Sequence, residues 1–339
     1  MSTQVEASPD AAGIVETELT YREAINAALD DAMAADESVL LLGEDVASDG
    51  GVFKTNIGLV DKYGLERVRT TPICENGFMG VALGMSLVGL RPIVEIMFAD
   101  FLPTAGDMIV NQLPKYRYMS GGQTAVPVTV RVVCGATGRF GTQHSATAES
   151  WYMHLPGLRV VTASSPGSAY ELLRAAIDDN NPVLFHEHKG LYARKGNVRR
   201  GAIADVGKAA VLREGSDITI VATLLMVERA LAAAEELAKA GIEAEVIDLR
   251  WTRPLDLETV SSSVARTGRL LIVEEQVHAA GWGATLISEL SIAGTSWKRP
   301  PQRLSLPDDL PIPYTPPLED AVLPTAETIV AAATTGVRG

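Results

Sequence analysis

The sequence predicts an α/β protein built from two parallel-sheet α/β domains, and three observations predict it. The chain has 339 residues, about the length of two domains. Short apolar runs alternate with amphipathic segments, the pattern of parallel strands joined by crossover helices. The alternation stops in a Gly- and charge-rich stretch, "KGLYARKGNVRRGAIADVGKA" (189–209), and then starts again. Hydrophobic residues make up 47% of the chain, enough to fill two cores.

The elements follow in order. Residues 1–17 lack the basic start and apolar block of a signal peptide and read as a disordered lead. A first helix starts at Thr20, where Thr20 and Glu23 have the spacing of a capping box and Ile25, Ala28, Leu29, Ala32 and Met33 recur at helical spacing. "VLLLG" (39–43) is an apolar run ended by Gly, as in a buried strand. Further strands are expected at 91–98, 127–133, 158–163 and 182–187, with helices at 77–89, 103–119 and 167–179. This first domain covers 18–195, and 196–208 reads as a linker. In the second domain, 209–339, "DITIVAT", "EAEVIDL" and "RLLIVEE" read as strands, followed by helices at 226–240, 256–267 and 282–293. "RLSL" (303–306) and a last helix near 320–333 close the chain.

Charge and composition exclude several classes. Lys and Arg total 29 against 42 Asp and Glu, a net charge of −13, which argues against nucleic acid as a partner. No apolar run is long enough for a membrane span. Cys74 and Cys134 read as reduced, buried thiols of a cytoplasmic protein. "HEH" (186–188) places His186 and His188 on one face of a strand, a weak metal signal beside ordinary strand-end polarity. "GWGATL" (281–286) begins like a dinucleotide fingerprint but lacks the third glycine, and reads as a helix start.

Two stretches carry chemistry. In "TTPICENGFMG" (70–80) a lone carboxylate, Glu75, stands at the start of an apolar helix whose glycines imply tight packing. It reads either as a helix cap or as a buried acid with a raised pKa. In "CGATGRFGTQHSAT" (134–147) a glycine-rich loop follows a strand and ends at His144. It reads either as an ordinary flexible loop or as a ligand loop, delivered where α/β sheets place functional residues.

Eight segments in this order, "LLGEDV…GGVF", "TTPICENGFMG", "GLRPIVEIMFADF", "IVNQLPKYRYMSGGQ", "GTQHS", "LPGLRVVTASSP", "AEVIDLRWTRPLD" and "PYTPPLEDAVLPT", resemble the beta subunit of the thiamine-diphosphate-dependent 2-oxo acid dehydrogenases. That is the decarboxylating component of the pyruvate, branched-chain 2-oxo acid and acetoin dehydrogenase complexes. The resemblance covers residues 18–335. It implies a pyrimidine-binding domain, a transketolase-type C-terminal domain and an α2β2 heterotetramer with thiamine diphosphate between the subunits. The family's diphosphate motif, GDG followed by NN, belongs to the alpha subunit and is absent here. Magnesium is therefore expected mainly on the alpha chain.

Residues carry over by position. Glu75 matches the glutamate that shares a proton with N1′ of the aminopyrimidine. Glu44, Ile73, Met97 and Phe101 match positions around the pyrimidine, where Met97 and Phe101 imply a drier pocket. His144 matches the histidine beside the reacting centre, which meets the lipoyl group of the acyltransferase core. The carbonyls of Val128, Ala176 and Ile177, with the side chains of Asp179 and Asn181, match a potassium site present in some members. Pyruvate is the first expectation for the 2-oxo acid, with acetoin-type and branched-chain enzymes as alternatives. "SAT" (145–147) and the pair Arg139–Phe140 depart from the family pattern near the substrate end. Acidic residues Asp308, Asp309, Glu319 and Asp320 are expected to face a basic partner domain. The competing classes are a non-catalytic flavodoxin-like binding module and a fragmentary transketolase or deoxyxylulose-phosphate synthase.

Overall fold

The structure, a computed structural model, describes residues 14–339. The expected lead falls partly outside these residues; of what is described, Val15–Thr20 is a strand, paired antiparallel with Lys195–Arg200. The segment 196–208 is therefore not only a linker. Its first part closes a two-stranded ribbon against the start of the first domain.

The first domain is a seven-stranded sheet in the order Trp251–Arg253, Arg159–Ala163, Val183–His188, Thr129–Cys134, Arg91–Ile96, Val39–Gly43, Val68–Thr70. Six of its strands run parallel, and Trp251–Arg253 joins antiparallel from the C-terminal half. Strands Val39–Gly43, Thr129–Cys134 and Val183–His188 are buried at every position, because helices cover both faces. The first helix, Tyr21–Ala35, carries the predicted capping box from Thr20 and Glu23.

The expected helix over 103–119 is three pieces: a 3₁₀ segment Ala99–Ala105, a π segment Asp107–Gln112 and an α-helix Leu113–Met119. Pro103 inside the first piece and Pro114 at the start of the last supply no N–H, so one regular hydrogen-bond ladder cannot run through.

The second domain is a five-stranded sheet in the order Gln302–Leu306, Leu270–Val277, Ile218–Ala222, Ala244–Asp248, Ala210–Arg213. Only the last edge strand is antiparallel. The single closing helix expected near 320–333 is two helices, Pro316–Val322 and Ala326–Arg338, split by Pro324 and restarted by a Thr325 cap. No helix of the described residues is long and apolar enough to cross a membrane.

Candidate active site

The candidate residues gather at the carboxyl ends of neighbouring parallel strands, where open α/β sheets bind ligands. Glu44 follows Val39–Gly43, Glu75 opens the helix Glu75–Leu87 after Val68–Thr70, and Met97 and Phe101 follow Arg91–Ile96. His144 lies on the loop after Thr129–Cys134.

Glu75 is the first residue of its helix, and the N-cap, Cys74, makes no side-chain hydrogen bond there. Glu75 is half-buried rather than enclosed, and Ile73 beside it is 82% exposed. Cys74 is exposed too, against the expectation of a buried thiol, whereas Cys134 is fully buried. The helix has a bare side. Gly77, Val81, Gly84 and Val88 recur at spacings of four, three and four and are all exposed, so tight packing holds for only one face of it. Glu44 is half-buried, and its carboxyl is held above the ordinary range by burial first and then by the negative charges of Glu75, Asp45 and Glu95. The charge of Glu75 therefore disfavours ionisation of Glu44.

Beneath them lies a buried ionic network. Arg131 bridges Glu187 (Nε to Oε1, 2.5 Å) and Glu95 (Nη1 to Oε2, 2.8 Å) across three adjacent strands. Asn56 donates to Glu95 at 3.0 Å, and Tyr192 donates to Glu187 at 3.0 Å.

His144 is half-buried and sits edge-on to Phe98 (ring centroids 4.8 Å, 88°) and Phe101 (5.4 Å, 79°). Its backbone carbonyl accepts from Lys189 Nζ at 2.6 Å. Lys189 also donates to the carbonyl of Gly135, and burial draws its pKa down. Asp100 accepts from the Ala146 N–H at 3.1 Å, and burial raises its carboxyl although Lys189 and His144 lie near.

The "HEH" strand end is structural. His186 is fully buried, and burial lowers its pKa to about 4. The Gly190 N–H donates to His188 Nδ1 (3.0 Å), so Nε2 carries the proton toward Glu275 Oε2 at 3.0 Å. Among the described residues no group of three His, Cys, Asp or Glu side chains is arranged for a metal. At "GWGATL", Gly281 caps the helix Trp282–Ile292, and the Gly283 N–H donates to buried Glu274 where a dinucleotide fingerprint would leave room for a phosphate.

The five oxygen-bearing residues expected at a potassium ion lie at the amino ends of the strands Thr129–Cys134 and Val183–His188, opposite the carboxyl ends that carry Glu75 and His144. They do not fit a cation as they stand. Arg91 donates to the carbonyls of Ile177 (3.0 Å) and Asp179 (3.2 Å), and Thr129 donates to that of Ala176 (3.0 Å). Arg117 donates to the Asn181 side chain at 2.7 Å, and Arg159 pairs with Asp179 at 2.6 Å. The Val128 carbonyl is in the sheet ladder, accepting from Val183. Three guanidinium groups already supply the positive charge that an ion would bring.

Several functional neighbours escaped the sequence reading: Phe98, Asp100, Lys189 and Glu275. Asp100 and Phe98 lie inside the segment "IMFADF", but nothing in spacing singles them out. Glu275 meets the His144 loop only through the docking of the two domains, and Lys189 meets it from the end of the neighbouring strand Val183–His188. An interdomain cavity of about 340 Å³, lined by Thr142, Ser145, Ala146, Glu275, Gln276 and Ile312, opens behind that loop. A larger open groove of about 1110 Å³ contains neither Glu75 nor His144.

Comparison with known proteins agrees with this layout. Family models described as "Transketolase, pyrimidine binding domain" and "Transketolase, C-terminal domain" match residues 17–195 and 207–329. The chain is 41% identical over 332 residues to the acetoin:2,6-dichlorophenolindophenol oxidoreductase subunit beta of Cupriavidus necator, covering 95% of this chain and 98% of that protein. It is 44% identical over 321 residues to the mitochondrial pyruvate dehydrogenase E1 component subunit beta-1 of Oryza sativa subsp. japonica, covering 93% and 86%. A solved split gene transketolase, an inactive beta4 tetramer, superposes with a TM-score of 0.77 at 25% identity, covering 94% of this chain and 98% of that one. The chain belongs to the transketolase-like family that holds the beta subunits of the pyruvate and acetoin dehydrogenases.

Proposed function

We propose that this chain is the beta subunit of the decarboxylating component of a 2-oxo acid dehydrogenase, with pyruvate as its substrate. It works with an alpha subunit in an α2β2 assembly, in the cytoplasm, and passes the acyl group to a lipoyl group of the acyltransferase core. The observation that carries the reading is the placement of Glu44, Glu75, Met97, Phe101 and His144 at the carboxyl ends of neighbouring parallel strands.

The residues present fit the pyrimidine half of thiamine diphosphate. The Glu75 carboxyl offers a hydrogen bond to a ring nitrogen, and Met97, Phe101 and the exposed Ile73 offer apolar contact. When bound, the cofactor supplies an electron sink for loss of CO2 from the 2-oxo acid. Glu75 exchanges a proton with N1′ of the aminopyrimidine. His144, fixed edge-on by Phe98 and Phe101, moves a proton at the substrate end. The sequence motif for the diphosphate is absent, so its magnesium sits on the alpha chain. Potassium needs Arg91, Arg117 and Arg159 to leave the oxygens they hold.

The bare stripe Gly77–Val81–Gly84–Val88, next to exposed Ile73, supports a subunit partner, since small residues let another chain approach closely. A basic partner cannot use the whole acidic C-terminal set. Glu319 is fully buried, Asp320 is paired with Arg139, and Asp308 accepts from the Ala279 N–H.

The test is Glu75→Gln in the co-purified alpha–beta pair. Decarboxylation with an artificial electron acceptor is expected to fall by at least about 10²-fold with the assembly intact. Near wild-type turnover would sink the reading. A panel of pyruvate, acetoin and 3-methyl-2-oxobutanoate on the same pair separates it from the acetoin-type and branched-chain alternatives.

A further inference from the structure

The loop from Gly135 to Thr147 has an unusual backbone. Gly135, Thr137, Arg139 and Gly141 all have positive φ, at 86°, 72°, 58° and 76°. Two of these residues are not glycine, and such conformations persist only where surrounding contacts impose them. Those contacts come largely from the other domain. The Ala136 N–H donates to Glu275, and the Thr137 N–H donates to Glu319 Oε1 at 2.9 Å. Thr142 Oγ1 donates to the Ile312 carbonyl at 3.1 Å, and Thr147 Oγ1 donates to that of Glu275. A Cβ on Gly135 would lie 2.0 Å from His188 Nε2, so this position admits no side chain in the observed conformation.

Arg139 makes the most contacts across this junction. It donates to Glu319, to the Pro316 carbonyl at 3.1 Å, and to both oxygens of Asp320 at 2.9 and 3.0 Å. Its charge is met by two carboxylates of the C-terminal domain, so it does not serve as a receptor for the substrate carboxylate. Glu319 is fully buried, and its carboxylate is met by Arg139 and the Thr137 N–H. The next residue, Phe140, packs on Phe98 at 5.9 Å, and Phe98 is the ring on which His144 rests.

We infer that Arg139 and Glu319 form an interdomain clasp through which the C-terminal domain positions the His144 loop for acyl transfer. The inference rests on the reading of His144 as a site residue. Arg139 is a positioning residue, acting through Phe140 and Phe98 and through the loop backbone.

The test uses the α2β2 holoenzyme with thiamine diphosphate and magnesium, a lipoyl domain as acyl acceptor, and the variants Arg139→Gln, Arg139→Lys, Glu319→Gln and His144→Ala. Arg139→Gln is expected to lower kcat for lipoyl acylation by about 10- to 100-fold while KM for the 2-oxo acid stays within about twofold. Arg139→Lys recovers part of that loss, because one ammonium replaces the charge but not the fork. Hydrogen exchange in Arg139→Gln is expected to rise in residues 135–147 and 312–322 and not elsewhere. Should Arg139→Gln fail to assemble, Glu319→Gln and Arg139→Lys carry the same readouts.

Unchanged exchange in 135–147, or unchanged kcat where His144→Ala is impaired, overturns the clasp. A rise in exchange across the whole C-terminal domain assigns the pair to stability alone and also overturns it. Full activity of His144→Ala instead removes the site reading of His144, and with it the acyl-transfer role. The exchange data still decide whether the clasp holds the loop.

Discussion

Glu75 and Glu149 show how far a carboxylate's role depends on what surrounds it. Glu75 stands at an open edge and keeps company with Glu44. Glu149, five residues past His144, is buried at the domain junction, and burial raises its pKa to about 7. Its Oε2 has no hydrogen-bond partner, and Thr223 is 3.5 Å from Oε1. An acid whose folded pKa lies above its unfolded value of about 4.5 binds its proton more tightly when folded. That stability is fully present below pH 4.5 and is lost as pH rises through about 7. Glu149→Gln is therefore expected to match the parent chain near pH 4.5 and to exceed it at pH 8, by on the order of 2 kcal/mol. Denaturant midpoints at the two pH values measure it, and an equal difference at both would show that Glu149 does not titrate between them. Nothing in "SATAES" announces this residue. Its polar neighbours Gln276 and Thr223 are more than seventy positions away in sequence.

At the scale of elements, the strands were legible because burial on both faces leaves short, uninterrupted apolar runs. The same rule makes the exceptions informative. Arg91–Ile96, Thr129–Cys134 and Val183–His188 each carry a charge in the buried part of the sheet, and Glu95, Arg131 and Glu187 meet there. Replacing Arg131 by Met would leave two buried carboxylates without their cation. The expected loss is about 3–5 kcal/mol at pH 7. It shrinks at lower pH, because burial already raises the Glu187 carboxyl and protonation removes the uncompensated charge. Urea unfolding of Arg131→Met at pH 5 and pH 7 measures both, and a loss below about 1 kcal/mol would mean the network is solvated. Capping residues were equally legible, since Thr20 and Glu23 act within one turn. The broken segment 99–119 and the ribbon Val15–Thr20 with Lys195–Arg200 were not. A π turn has no residue signature, and a ribbon depends on a partner 180 residues away.

At the scale of the whole molecule, two surfaces have different fates. One is consumed internally: the acidic set of the C-terminal domain, which reads as a docking face, is largely spent on Arg139 and on the Ala279 N–H. The other is left open: Ile73 and the stripe Val81–Gly84–Val88, with Val81 52% and Val88 78% exposed. An apolar stripe of this kind beside a site is the mark of an obligate neighbour. Val81→Asp is expected to leave this chain folded by circular dichroism and to lower recovery of the alpha–beta assembly by at least about tenfold in size-exclusion chromatography. Full recovery would place the partner on another face.

The sequence by itself determined the two α/β domains, the order of most strands and helices, the family, and the positions of Glu75 and His144. These rest on local periodicity, on caps and on ordered motifs, all of which are properties of short segments. Only the tertiary structure decided what each of those residues touches. It brought the charge of Glu75 to bear on Glu44, placed Lys189, Phe98 and Phe101 around His144, set three arginines on the oxygens of Ile177, Asp179 and Asn181, and turned Arg139 onto Glu319. Each of these pairings joins residues brought together by strand order and domain docking, and neither separation in sequence nor residue type encodes that proximity.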